Sequence, residues 1–326
     1  MKFNCKLRII VTAITMVTVF ILSGTAFAEW TINVPGALGT NIVDSVATSK
    51  GMVAVGQDGK LYSMSTSSMS GTPNWELLIS PVTDDFAGVA YDGSKYWAVS
   101  VTGKIITSTQ GSVWKAVSVP TKLQSVIAEN VVGIAAADGK AFIVTSAGGL
   151  LSTDGTDWKD YSSELKKASL ASGNNIKGLK IFSNADSKWL AIFGHGGLCQ
   201  FDLDGETLTT ETTFSKLNDI NDLVINAHND WIIVGGAGGS GKIFAGTDFA
   251  KKDSLTAISV KDSSGEDYNP ADILSVYYDS TEKAGFACGQ AGLLLQIKND
   301  GSSYSATYVP QTTTTENLNT VASADA

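Results

Sequence analysis

Arginine is nearly missing from this chain: among 23 basic residues in 326 only Arg8 is one, and the rest are lysines. Arginine supplies planar, two-pronged recognition of carboxylates and phosphates, so a site built on an arginine cluster is excluded. Positive charge is scarce in general, with 23 Lys+Arg against 32 Asp+Glu, a formal charge of -9 and a pI near 4.7. A phosphate backbone is held by a basic patch that releases counterions, so no nucleic-acid partner is expected. Cysteine is limited to Cys5, Cys199 and Cys288, too few for a disulfide scaffold. The two histidines, His195 and His228, have no cysteine or carboxylate at metal-ligand spacing, which leaves no zinc site.

Long apolar runs are also lacking, apart from residues 9–22. That run is about 14 residues, short of the roughly 20 that a membrane helix needs. Lys2, Lys6 and Arg8 precede it, and Ser23, Gly24, Thr25 and the small-x-small triplet Ala26-Phe27-Ala28 follow. This order is that of an export signal, with cleavage expected after Ala28. The chain divides into a signal peptide, 1–28, and a single domain, 29–326, exported to a bacterial periplasm or the exterior, with no membrane span in the mature part. Loss of Lys2, Lys6 and Arg8 leaves 20 lysines against 32 acids, a net of -12 with no arginine. Cys199 and Cys288 remain and read as buried free thiols.

What is present is a beat. Six times an apolar or β-branched run, a glycine turn and a second apolar run recur, beginning at Met52, Tyr96, Ala141, Trp189, Trp231 and Gly285. The turn glycines are Gly59, Gly103, Gly148, Gly196, Gly241 and Gly292, spaced 44, 45, 48, 45 and 51 apart. Each pair reads as two strands of a hairpin. An inner strand precedes each hairpin, from Asp44, Phe86, Val131, Ile176, Ile220 and Ile273. An outer strand, often opened by an aromatic, follows at Trp75, Trp114, Trp158 and Tyr304. Four antiparallel strands in each unit of about 45 residues predict an all-β fold, a β-propeller. Residues 30–35 match an outer strand and 318–325 an inner one, so six complete repeats and a partial seventh are expected. No segment shows sustained helical periodicity, and 162–172 would give one helical turn at most.

The turn Ser152-Thr153-Asp154-Gly155-Thr156-Asp157-Trp158 resembles the Asp-box, or BNR repeat, of sialidase-like propellers. Weaker copies place Gly111 and Trp114 after Ser108, and Asp300, Gly301 and Tyr304 after Asn299. In these turns the Asp accepts backbone N–H bonds, the Gly takes positive φ and the ring packs between blades, so Ser152, Asp154, Gly155, Trp158, Gly111, Trp114, Asp300, Gly301 and Tyr304 read as fold-forming. Within that group the chain looks most similar to exported bacterial propellers related to the photosystem II assembly and stability factor. That resemblance implies an assembly scaffold, a non-catalytic propeller. Its photosynthetic members use an arginine-rich patch, which this mature chain lacks.

Sialidase chemistry needs arginines and is excluded. The alternative is a glycoside hydrolase using two carboxylates, for which Asp58, Asp138, Asp262, Glu266 and Asp267 are the acids to test. Residues 235–242 imitate a phosphate loop but lack its spacing and its helix. What remains is the face carrying the turns between second and third strands, where Gln57, Asp58, Thr102, Ser146, His195, Gly238 and Gln290 would surround the channel mouth. Small, polar and acidic side chains there suit a protein, peptide or glycan partner. No cofactor is expected, although such a face is also compatible with Ca²⁺.

Overall fold

In each unit the strand after the inner one is apolar on both faces, because it lies in the middle of a sheet with a neighbouring sheet on either side. The computed structural model describes residues 41–324 other than 66–73, 129, 184–187, 215–216, 226–230, 237–238, 247–254, 280–282 and 311–315. Before residue 41 it describes only the backbones of Arg8–Ala13, Thr18–Phe20 and Thr31–Asn33. The export signal expected over 1–28, along with Gly238, His228 and the Thr312 to Thr315 tract, lies outside the described side chains.

Six blades follow one another, each with four antiparallel strands, and the sixth carries one further strand at its outer edge. Their inner strands are Ile42–Thr48, Phe86–Tyr91, Val131–Ala137, Ile176–Ser183, Asp219–Ile225 and Ile273–Asp279. Alternate residues of each second strand serve different cores, as the two-residue period of a strand requires. In blade 2, Tyr96 and Ala98 pack with Val53 and Val55 of blade 1, while Trp97 and Val99 pack with Ile134 and Ile143 of blade 3. Trp231 and Ile233 likewise face blade 4, and Ile232 and Val234 face blade 6. Burying each such side chain is worth about 1.5–3 kcal/mol, so the blades hold one another by their faces. The outer strands are mostly exposed, and Thr207–Thr213 alternates exposed residues with more buried ones, which explains their Thr, Lys and Glu content.

A register shift interrupts every inner strand at the same place: after Ile42, Phe86, Val131, Ile176, Ile220 and Ile273. Bulges of this kind add local twist. Strand Leu318–Ala324 lies between the inner strands of blades 6 and 1. There Asn319 Nδ2 donates to Ile42 O at 2.8 Å, and the Val321 N–H donates to Ser275 Oγ at 3.3 Å.

Three features lie outside the sequence reading. Helix Thr121–Ile127 lies between blades 2 and 3, with Leu123 and Ile127 buried one turn apart. Seven residues are too few for periodicity to register. The helix packs Ile127 over Gly103, where any Cβ would lie 2.8 Å from its side chain. The outer strands of blades 4 and 5, Thr207–Thr213 and Thr256–Ala257, have no aromatic opener. Val260–Lys261 pairs in parallel with Tyr304–Tyr308 and makes blade 6 five-stranded, with Tyr268 stacked on Tyr308 at 4.4 Å. Residues 162–172 hold one helical turn, Ser162–Leu165, and a 3₁₀ turn, Ser169–Ala171.

Candidate functional site: the channel and its mouth

The residue just after each bulge is Asp44, Gly88, Gly133, Gly178, Asp222 or Ser275, and Thr320 holds the same place in Leu318–Ala324. These seven positions form a belt around the channel, three of them glycine and four polar. At the glycines there is no room for a side chain: a Cβ on Gly133 would meet Leu179 of the next blade at 3.0 Å, and one on Gly178 would meet the Phe193 ring of its own blade at 2.8 Å. At the polar positions side chains bridge the blades. Asp44 accepts the Val89 N–H of the next blade at 3.0 Å and the Ser45 N–H at 2.8 Å. Asp222 accepts the Leu223 N–H at 2.8 Å, the Val276 N–H at 3.0 Å and the Ser275 hydroxyl at 2.9 Å. Ser45 and Thr320 hydroxyls meet at 3.3 Å.

The belt encloses a cavity of about 460 Å³ lined by Asp44, Lys180, Asn221, Asp222 and Asn319 among small apolar residues. Lys180 Nζ lies 2.7 Å from Asp222 and supplies the cavity's cation. Burial pushes the Asp44 carboxyl up to about 6, against the pull of its two N–H donors and of Lys180, and the Asp222 charge adds to the rise. Neither carboxylate is free to turn toward a ligand without giving up backbone N–H bonds.

At the mouth, the residue preceding every inner strand is Asn or Asp: Asn41, Asp85, Asn130, Asn175, Asp219 before Ile220, Asp272, and Asn317 before Leu318. Backbone carbonyls of five of these accept an N–H from the turn of the same blade, Gln57 to Asn41, Val101 to Asp85, Ser146 to Asn130, His195 to Asn175 and Gln290 to Asp272, each at 2.9–3.0 Å. Three side chains reach back to the preceding blade: Asp85 Oδ1 accepts the Asp58 N–H at 2.8 Å, Asn317 Oδ1 accepts the Ala291 N–H at 3.1 Å, and Asp219 Oδ1 lies 3.1 Å from His195 Nδ1. Asp58 and Ala291 occupy equivalent turn positions, both left-handed at φ 54° and 55°. The sequence reading missed this set. Its signal was available, an Asn/Asp-apolar-x-(Gly, Asp, Ser or Thr) run seven times over.

The structure thus brings Gln57, Asp58, Thr102, Ser146, His195 and Gln290 to one face. Gln57, Asp58, Thr102, His195 and Gln290 are exposed there, and Ser146 is buried. Thr102 donates to Asp84, which also pairs with Lys104 at 3.0 Å, and these two bonds hold the Asp84 carboxyl below the usual range. At Asp219 burial is outweighed by His195 and by Lys177 at 3.2 Å, which together lower its pKa. The mouth thus carries several carboxylates, with Lys104 engaged on Asp84 and Lys177 and His195 on Asp219.

The other acids lie elsewhere. Asp138 is in the turn between first and second strands, at the opposite end of blade 3, and pairs with Lys188. Asp262, Glu266 and Asp267 are in the connection along the outer edge of blade 6, where Asp267 pairs with Lys261 at 2.8 Å. The turns between third and fourth strands are also at that opposite end. Asp154 Oδ1 accepts the Thr156 and Asp157 N–H groups at 2.8 and 2.9 Å, and Ser108 accepts the Gly111 N–H at 2.9 Å. Asp300, bonded to the hydroxyl and N–H of Ser302 and to the Ser303 N–H, is lowered to about 2. Gly111, Gly155 and Gly301 all have positive φ. Trp114, Trp158 and Tyr304 pack on the cores between blades 1 and 2, 2 and 3, and 5 and 6. Ser152 is buried in the third strand of blade 3. Cys199 and Cys288 are free and buried, and burial pushes the Cys199 thiol up to about 12. Among the described residues no three metal-ligating side chains cluster, and no helix is long and apolar enough to cross a membrane.

No family model matches the chain, and no curated protein does. Solved structures do. YCF48 bound to D1 peptide aligns with a TM-score of 0.55 at 17% identity, covering 82% of each chain. YCF48 from Cyanidioschyzon merolae aligns with a TM-score of 0.56 at 17% identity, covering 82% of this chain and 84% of that one. At that identity the likeness assigns the fold alone, and the fold of this chain is the propeller that those YCF48 structures share.

Proposed function

We propose that this chain is an exported, non-catalytic scaffold that binds a protein or peptide partner at the mouth of its channel. The observation that carries the reading is the exposed ring of Gln57, Asp58, Thr102, His195 and Gln290 on one acidic face, held by bonds between blades. Support also comes from the fold, which is that of a propeller solved with a peptide bound. With carboxylates in excess there, the partner segment is polar or basic. A free glycan would have to be held through hydroxyls on the same face and is the competing occupant. The carbohydrate-hydrolase alternative draws on acids spread over the mouth, the far end of blade 3 and the edge of blade 6. We retain two further sequence readings with it: residues 152–158 as an Asp-box, and Leu318–Ala324 as the inner strand of a partial seventh blade, supported by its Asn317-Leu318-Asn319-Thr320 start.

The test is affinity capture from the host's envelope extract with residues 29–326, run beside a Gln57→Lys, Asp84→Lys variant and a far-end Asp300→Ala control. A protein retained by the parent and control but lost on the mouth variant supports the proposal. Capture that is indifferent to the mouth, or retention of polysaccharide alone, overturns it.

A further inference from the structure

Asp44 and Asp222 hold the same place in blades 1 and 5, just after the bulge of the inner strand, yet their surroundings differ in two side chains. Each accepts the N–H of the residue that follows it and an N–H from the next blade, Ser45 and Val89 for Asp44, Leu223 and Val276 for Asp222. Asp222 has two partners more. Ser275, at the belt position of the next blade, donates its hydroxyl at 2.9 Å, and Lys180, on the preceding inner strand, brings its ammonium to 2.7 Å.

Around Asp44 both of these are replaced. The belt position of the next blade is Gly88, and the fifth place of the preceding strand, held by Lys180 in Ile176–Ser183, is held by Ala322 in Leu318–Ala324. A Cβ on Gly88 would stand 3.2 Å from Asp44 Oδ2, so a side chain at that position would touch the carboxylate. Among the described residues no cation is at ion-pair distance from Asp44, and Lys180, which does pull on it through space, is engaged on Asp222. Burial pushes the Asp44 carboxyl up to about 6. At neutral pH it therefore carries a buried charge with no partner of opposite sign, an arrangement that favours any cation able to reach it.

The carboxylate lines the cavity of about 460 Å³, whose wall continues round blades 2 and 3 as Ala87, Ala90, Val132 and Ala135. An ionic group thus stands beside a short apolar wall. What Lys180 brings to Asp222 is a four-carbon stem ending in an ammonium, and the same chemistry suits this space.

We propose that the channel binds a small aliphatic primary amine, its ammonium on Asp44 as that of Lys180 is on Asp222, and its carbon chain along Ala87, Ala90, Val132 and Ala135. The site lies in the channel below the mouth and stands whether or not the mouth takes a partner.

Isothermal titration of n-butylammonium chloride into the full chain, at pH 8 in sodium buffer of constant ionic strength, tests this. One amine should bind per chain, and Asp44→Asn should weaken binding at least tenfold. Ala322→Lys, which supplies the ammonium from the chain itself, should abolish binding and raise Tm; should either variant fail to fold by circular dichroism, the other decides. Binding that a folded variant leaves unchanged, or absence of binding up to about 10 mM amine, overturns the proposal. So does an equal response of the parent to potassium chloride, which would make the site one for any cation, or to n-butanol, which would assign the binding to the apolar wall.

Discussion

The carboxylate of Asp44, on the inner strand of blade 1, accepts the backbone N–H of Val89 on the inner strand of blade 2 at 3.0 Å. Two residues 45 apart in sequence, one full repeat, thereby share a part-buried bond at the channel wall. Asp222 makes the same bond to Val276, from blade 5 to blade 6.

Ionised Asp44 is held at a cost. With its pKa raised to about 6 from 3.8, the folded state takes up a proton more readily than the unfolded chain, so this group's contribution is most favourable at low pH and is lost as pH rises through about 6. The difference corresponds to about 3 kcal/mol. Urea unfolding of the parent and of Asp44→Asn should show the parent gaining on the variant by about that amount between pH 7 and pH 4. A gap between the two that is independent of pH would show that the ionised form carries no burial cost.

Asp222 ties four partners, Lys180 among them. Asp222→Ala leaves a lysine and buried donors without their acceptor, and removal of one member of a buried pair typically costs about 3–5 kcal/mol. Denaturant midpoints should report a loss in this range. Replacing Lys180 with Met should cost less, because the carboxylate keeps its three other donors.

The mouth bond from the Asp58 N–H to Asp85 is exposed, so Asp85→Ala should lower global stability by about 1 kcal/mol or less. Its local effect should be larger. Amide exchange at Asp58 should accelerate while exchange at the blade 2 amides stays constant, and equal acceleration throughout would assign Asp85 to global stability instead.

Gly59 closes the blade 1 turn at φ 66°, with Val82 O only 2.1 Å from where a Cβ would sit. Both the conformation and the contact oppose a side chain, so Gly59→Ala should cost more than about 1 kcal/mol. Thermal unfolding of this variant, compared with Gly93→Ala, where no atom lies within 4 Å, separates the steric part from the φ preference.

Burial holds the Cys199 thiol neutral, with its pKa pushed up to about 12, and raises that of Cys288 well above its ordinary value. Neither should react with an alkylating agent at pH 8 in the native state, and both should react in denaturant, as counted by intact mass.

The number of blades' hairpins, the positions of their turn glycines and the apolar second strands were all legible in the sequence. Each depends on neighbours within a dozen residues: a turn needs its glycine at positive φ, and a strand in the middle of a blade needs apolar residues on both faces. The weakly patterned outer strands of blades 4 and 5 and helix Thr121–Ile127 were not legible, because they are short and are fixed by what they pack against. Gln57, Asp58 and His195 were placed on one face from hairpin connectivity alone, but that Asp85 and Asp219 hold two of them was not foreseen. Only the closed ring decided that Asp44 reaches Val89, that Asp222 reaches Val276, and that Gly133 sits where Leu179 of the next blade leaves no room. Those pairs stand a repeat or more apart along the chain, and no local preference of either residue records a partner that arrives only when blade packs on blade.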